Sequence, residues 1–249
     1  AYTAHVCILM SEMEQTLGNN DQAQKYLAFA EECRHSYQAL CEKKNFSLDT
    51  DRQARLVRPL AFHLLNKEQA KYAKNRLIQS LEAYGWRIGT GFLSTPLILD
   101  VLSEIDMSYA YRLLENEKMP GWLFMAKNGA TTVWEAWEGK ESVNGGIASL
   151  DHYSKGAVCR WLFDTMCGIH VAGENHFMIA PKPGGHIASA KADYTSVYGQ
   201  VISEWKCKDG QTEYRISIPA NCTAEIILPD GTQLMQESGS KIYSTKICN

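Results

Sequence analysis

Residues 121–153 read GWLFMAKNGATTVWEAWEGKESVNGGIASLDHY. Trp122, Trp134 and Trp137 crowd two carboxylates, Glu135 and Glu138, and the stretch closes on the adjacent pair Asp151 and His152. Glycines punctuate it at Gly121, Gly129, Gly139, Gly145 and Gly146. It is expected to be a long irregular loop. Loops of this length are either functional or disordered, and the tryptophans argue against disorder. Aromatic planes beside carboxylates suit a carbohydrate site, because sugars stack their C–H faces on indoles and paired acids cut glycosidic bonds.

The chain upstream of this loop is helical. Residues 2–17 form a first helix, stopped by Gly18 and Asn19. Asp21 can cap a second over 22–44, whose Ala23, Tyr26, Leu27, Ala30, Cys33, Tyr37, Leu40 and Cys41 keep helical spacing, with Lys43 and Lys44 at its end. A third runs from Asp49 or Thr50 to Leu65, and Pro59 inside it predicts a kink or a split. Residues 67–84 make a fourth. GWRIGTGFLSTP, residues 85–96, is a loop by its glycines and proline. Short helices follow over 97–105 and 108–117, and Ser154–Cys167 reads as one more beyond the long loop. Helices paired by short turns, with glycines kept to long loops, suggest an α/α toroid or part of one. Seven helices fall short of the twelve that six hairpins need, so half of the helical domain is expected to lie outside this chain.

At Gly168 the texture changes. Val197, Gly199, Val201, Ser203 and Trp205 share one face of a strand, and Asp209-Gly210 predicts a hairpin to a return strand through Tyr214, Ile216 and Ile218. Ala224–Leu228, a turn at Pro229-Asp230-Gly231, and Gln233–Gln236 read as a second hairpin. The fold class is therefore α+β and multidomain: a helical part over 1–168, then a small antiparallel β-sandwich over 169–249.

Composition narrows the partners. A chain of 249 residues suffices for one large or two modest domains. A net charge of −3 favours neither nucleic acid nor an anionic membrane surface. No apolar run approaches the ~20 residues that span a bilayer. The chain opens at Ala1 with neither a Met nor a leader pattern, and it is expected to be a processed or truncated piece of something longer. Cys33 and Cys41 lie eight apart in one predicted helix, as do Cys159 and Cys167, and eight helical residues rise ~12 Å, too far to bridge. There is no CxxC, and His176 and His186 lack ligand spacing, so no metal or other cofactor is expected. The cysteines read as small buried hydrophobes in a reducing, cytoplasmic setting, with a periplasmic or secreted location as the alternative. Cys207, Cys222 and Cys248 could still pair. Asn221-Cys222-Thr223 fits a glycosylation sequon of a kind common by chance.

The motifs together resemble a known family. GFLSTP at 91–96, NGATTVWEAWEG at 128–139, LDHYSKGAVCRWLF at 150–163 and IAPKPGGHIASAKADYTSVYGQVISEW at 179–205 are similar, in the same order, to the C-terminal part of the bacterial α-L-rhamnosidases, glycoside hydrolase family 78. The resemblance implies the C-terminal portion of an (α/α)6 catalytic barrel followed by a β-sandwich. It implies hydrolysis of terminal α-L-rhamnosides with inversion. It also implies Glu135 as general base and His152 as a hydrogen-bond partner of the bound rhamnose. Trp134 and Trp137 are candidate substrate-binding residues by their own position, flanking Glu135 with indole faces. Asp151 stands where the family commonly has Asn. The family's general acid lies upstream of the matched region and finds no match in this chain, which alone is expected to be inactive; its partner would be the missing N-terminal half of the same protein.

On residues alone, blander readings stand beside these. Glu135 is by composition a solvated loop carboxylate, and His152 as readily a structural histidine. Trp122 and Trp137 fit core as well as platform, and Trp86, Thr90 and Phe92 fit a packing loop as well as a rim. Rival functions are another toroidal glycosidase or lyase, and a sugar-binding or scaffold piece without turnover.

Overall fold

A computed structural model describes residues 1–43, 46–139 and 148–246. Lys44, Gly145, Gly146 and the possible pairing of Cys248 lie outside the described residues. The chain divides into two compact units, Ala1–Lys155 and Gly156–Asn249.

The first unit is built of helix pairs. Helix α1 (Tyr2–Thr16) packs on α2 (Asn20–Cys41), α3 (Gln53–Ala61) on α4 (Lys67–Ala83), and α5 (Ile98–Ile105) on α6 (Met107–Leu114). Local signals explain the starts and stops. Gly18, at φ 80°, ends the first turnaround. Asn66 and Gln69 form a reciprocal capping box on α4, satisfying two donors at its first turn. The core follows the helical period: Leu56, Val57, Leu77, Leu81, Ile98, Leu102, Ala110 and Leu113 are buried. A smaller cluster of Ala4, Phe62 and Leu64, with Tyr2 and Tyr37 against it, joins α1 and α2 to the end of α3.

The reading of the helical part needs correction at three points. Pro59 sits within α3 and neither splits it nor ends it at once; the helix stops two residues later at Ala61. There His63 turns out of the helix at φ 51°, well short of the expected end at Leu65. The 121–153 stretch is not wholly irregular, because α7 occupies Trp122–Lys127. Its two apolar anchors, Trp122 and Met125, are spaced three apart and buried.

Ser154–Cys167 is not one helix. It comprises α8 (Tyr153–Gly156), α9 (Val158–Trp161) and a π-helical turn over Leu162–Met166. Gly156 weakens the helix where the first two pieces meet, and the widened turn drops the regular four-residue ladder.

In the second unit, two four-stranded sheets have the orders β1-β2-β6-β7 and β3-β4-β5-β8. The strands are β1 (Ile169–Gly173), β2 (His176–Ile179), β3 (Ser189–Ser196), β4 (Gly199–Lys208), β5 (Gln211–Ile218), β6 (Thr223–Ile227), β7 (Gln233–Gln236) and β8 (Gly239–Lys246). The Asp209-Gly210 hairpin forms with both residues at positive φ, 51° and 78°, and sets Lys208 opposite Gln211. The second hairpin forms as β6 and β7, with Ile227 opposite Gln233. Val201, Ser203, Trp205, Tyr214, Ile216 and Ile218 turn inward at period two. The pairing of β2 with β6 is parallel, the one departure among these pairs from an antiparallel sandwich. Val197 belongs to no strand face. It tips the β3–β4 turn, 94% exposed, where the Ser196 hydroxyl accepts from the N–H of Tyr198 and donates to the carbonyl of Gly199.

Candidate functional site

Three separate stretches meet in the first unit. The GFLSTP loop is closed on itself, with the N–H groups of Ser94 and Thr95 both donating to the Gly91 carbonyl at 3.0 Å. Gln53 of α3 holds the preceding turn, donating to the Arg87 carbonyl at 3.0 Å and accepting from Gly89 N–H at 2.7 Å. Tyr2 of α1 ties the loop down through the Leu93 carbonyl. Phe92 then meets His152 at 5.5 Å and Tyr153 at 5.3 Å, edge to face, and the Ser154 hydroxyl donates to the Phe92 carbonyl.

The tryptophan-rich segment lies against the segment ending at His152. His152 N–H donates to the Val133 carbonyl and Glu135 N–H to the Ser149 carbonyl, each at 2.8 Å. Thr132 Oγ1 donates to the Leu150 carbonyl. Glu135 is therefore gripped twice by one residue: its backbone donates to Ser149, and its carboxylate Oε2 accepts from Ser149 N–H at 2.8 Å. A carboxylate oxygen fixed by a backbone donor has a set direction, which a free surface glutamate lacks. Glu135 itself is exposed, as is Glu138. The His152 ring is half-buried, and its Nδ1 is buried with no hydrogen-bond partner.

The indoles divide by role. Trp122 is buried and donates its indole N–H to the Lys155 carbonyl at 3.0 Å. Trp137 meets it edge to face at 6.3 Å. Lys155 Nζ lies 4.0 Å above the Trp137 ring and donates to the carbonyl of Glu135. Trp134 is half-buried beneath Gly139, whose φ of 87° brings its α-carbon so close that an added Cβ would sit 3.1 Å from the indole. Of the loop residues at 85–96, Trp86 is core, with the Arg112 guanidinium 4.2 Å over its ring. Thr90 is buried and bonded to Thr95 at 2.9 Å. Phe92 alone of these three stays exposed.

Sequence reasoning passed over Ser149 and Lys155. Neither carries a signal in the sequence: one is a loop serine, the other a lysine on an apparent helix. Burial lowers the Lys155 amine to about 8, against the pull of the Glu138 and Glu135 carboxylates, which favour the ammonium. The folded state thus sheds this proton before the unfolded chain does. Through this group, stability rises with pH between about 8 and 10.5.

Among the described residues no group of three or more His, Cys, Asp or Glu is placed to hold a metal ion. No described helix is long and apolar enough to cross a membrane. Cys7, Cys33, Cys41, Cys159, Cys167, Cys207 and Cys222 are free thiols, and burial pushes that of Cys167 up to about 11.

Comparison with known proteins matches both units. The profile of the bacterial α-L-rhamnosidase six-hairpin glycosidase domain fits residues 1–166, and that of the bacterial α-L-rhamnosidase C-terminal domain fits residues 170–242. An α-L-rhamnosidase of Streptomyces avermitilis is 33% identical over 98% of this chain and 25% of its own length. One from Formosa agariphila is 32% identical over 92% of this chain and 26% of its own. The solved structure of the S. avermitilis α-L-rhamnosidase complexed with L-rhamnose superposes with a TM-score of 0.84 at 30% identity, over 98% of this chain and 26% of that one. The chain thus spans about a quarter of the length of the curated relatives it matches. The helix pairs are a portion of an (α/α)6 toroid, followed along the chain by the β-sandwich, and the chain belongs to the bacterial α-L-rhamnosidase family.

Proposed function

We propose that the protein carrying this chain hydrolyses terminal α-L-rhamnosides with inversion at the anomeric carbon, and that Glu135 is its general base. The observation that carries the reading is the double grip of Ser149 on Glu135, which aims one carboxylate oxygen; the second oxygen would hold the water. The relatives' names and the L-rhamnose complex of the S. avermitilis enzyme support the choice of sugar. Glu135 takes the proton of that water as it attacks the anomeric carbon. A second carboxyl group, about 6.5–9.5 Å from the first, protonates the leaving oxygen. That acid comes from another part of the same protein, so this chain by itself turns nothing over. Residues 1–168 contribute to the catalytic barrel and 169–249 form the accessory sandwich. Exposed Val6 and Met13 on α1, Leu17 just beyond its end and Phe29 on α2 support further helices packing there.

His152 contacts the sugar. A buried N–H without an acceptor is the rarer orphan, so the partnerless Nδ1 is best left bare, with the proton on Nε2 as a donor to a hydroxyl. Trp134 and Trp137, both half-buried beside Glu135, offer indole faces to the sugar. The free thiols support a reducing, cytoplasmic compartment.

A panel of p-nitrophenyl glycosides tests the substrate. The full-length protein is expected to release nitrophenol from the α-L-rhamnoside and from no other sugar in the panel. Cleavage of another glycoside with the rhamnoside untouched would mean a different toroidal glycosidase, and no cleavage of any would favour a binding or scaffold role.

A further inference from the structure

We propose that Lys155 is a positioning residue for Glu135, its side chain tying the backbone at 135 to the face of Trp137. This rests on the reading of Glu135 as the base. Lys155 is 8% exposed, and a buried ammonium is unfavourable unless its surroundings compensate. A lysine recruited for stability alone would be expected to meet a carboxylate. Among the described residues this one instead donates to the main-chain carbonyl of Glu135 and lies 4.0 Å above the Trp137 ring.

The rest of the residue closes a circuit. The Lys155 carbonyl accepts the Trp122 indole N–H at 3.0 Å, and Trp122 packs against Trp137 at 6.3 Å. Trp122, Trp137, Lys155 and the Glu135 carbonyl are thus mutually fixed, and the N–H of the same residue is held by the Ser149 carbonyl. A base must meet its water within a few tenths of an ångström, and a misplacement of about 1 Å can lower turnover by about a hundredfold. The circuit supplies that placement from beneath the loop, without touching substrate.

The device depends on pH. Among the described residues the carboxylates acting on the amine are Glu138 and Glu135, both from the same loop, and burial outweighs them, leaving the amine at about 8. Above that pH a neutral amine still donates an N–H. It loses the charge-assisted strength of that bond and its attraction to the indole face.

The test uses the full-length protein and p-nitrophenyl α-L-rhamnoside. Lys155→Met is expected to lower kcat about ten- to a hundredfold with KM changed by no more than about threefold, and Lys155→Arg to recover most of the loss. Tryptophan fluorescence, taken as the difference between wild type and Trp137→Phe, is expected to show a transition near pH 8 that both Lys155 variants lack. The inference is overturned if Lys155→Met keeps wild-type kcat while Glu135→Gln abolishes turnover. If Lys155→Met does not fold, the fluorescence titration decides: a difference signal with no titration step anywhere between about pH 7 and 10.5 overturns it. If Glu135→Gln also keeps full turnover, the reading of Glu135 fails first and Lys155 has nothing to position.

Discussion

Glu135→Gln in the full-length protein is expected to lower kcat for p-nitrophenyl α-L-rhamnoside by about 10³-fold, with KM changed by no more than about threefold. Gln keeps the size of the side chain, and its amide oxygen can still accept from Ser149 N–H, so the loop pairing that positions residue 135 is kept. What is lost is the ability to take a proton from water, an interaction that develops only in the transition state. Steady-state kinetics with circular dichroism on the same samples separates this from misfolding. A scaffold or binding role would leave whatever turnover exists unchanged. A solvated surface carboxylate, the blander reading of the same residue, would leave kcat unchanged on substitution.

The second large effect is structural. Gly168→Ala is expected to destabilise the sandwich unit by more than about 3 kcal/mol, by summing left-handed strain with a backbone clash. Gly168 has a φ of 72°, and an added Cβ would lie inside the van der Waals envelope of the Ala180 carbonyl and the Pro181 nitrogen. Those atoms cannot retreat, because Ala180 N–H donates to the Gly168 carbonyl at 2.8 Å and the pair opens the β1–β2 ladder at Ile169 and Ile179. Just before this point, Met166 and Cys167 offer their carbonyls to the Trp205 indole and the Ser203 hydroxyl, at 2.8 and 2.6 Å. A shift at 168 therefore spreads into the buried face of β4. Calorimetry is expected to show the sandwich transition falling by more than about 10 °C. Gly173→Ala is the control: nothing lies within 4 Å of its added Cβ, and its melting is expected to match wild type.

Legibility followed the range of the interactions. The β4–β5 hairpin could be read because Asp209-Gly210 and the alternation around it are local. The helix pairs could be read from periodicity and from stops such as Gly18. The parallel β2–β6 pair could not, since nothing near His176 names Thr223 as its neighbour. α7 was overlooked because six residues flanked by glycines carry too short a period to register against a loop. At the site, the ordered motifs pointed to Glu135 and His152 through resemblance, Trp134 and Trp137 stood out as the indoles flanking Glu135, and residue type alone left Glu135, His152 and Trp137 with a bland alternative. Lys155 was invisible for a physical reason: its environment is made by Trp137 and by a carbonyl twenty positions away, and neither burial nor a hydrogen bond to main chain leaves a mark on residue type.

The stereochemistry of the first product bears most directly on whether a base-activated water attacks the sugar. Proton NMR of an α-L-rhamnoside digest, recorded before the freed sugar mutarotates, is expected to show β-L-rhamnose first. Initial release of α-L-rhamnose would mean retention through a covalent intermediate, and would contradict the role given to Glu135.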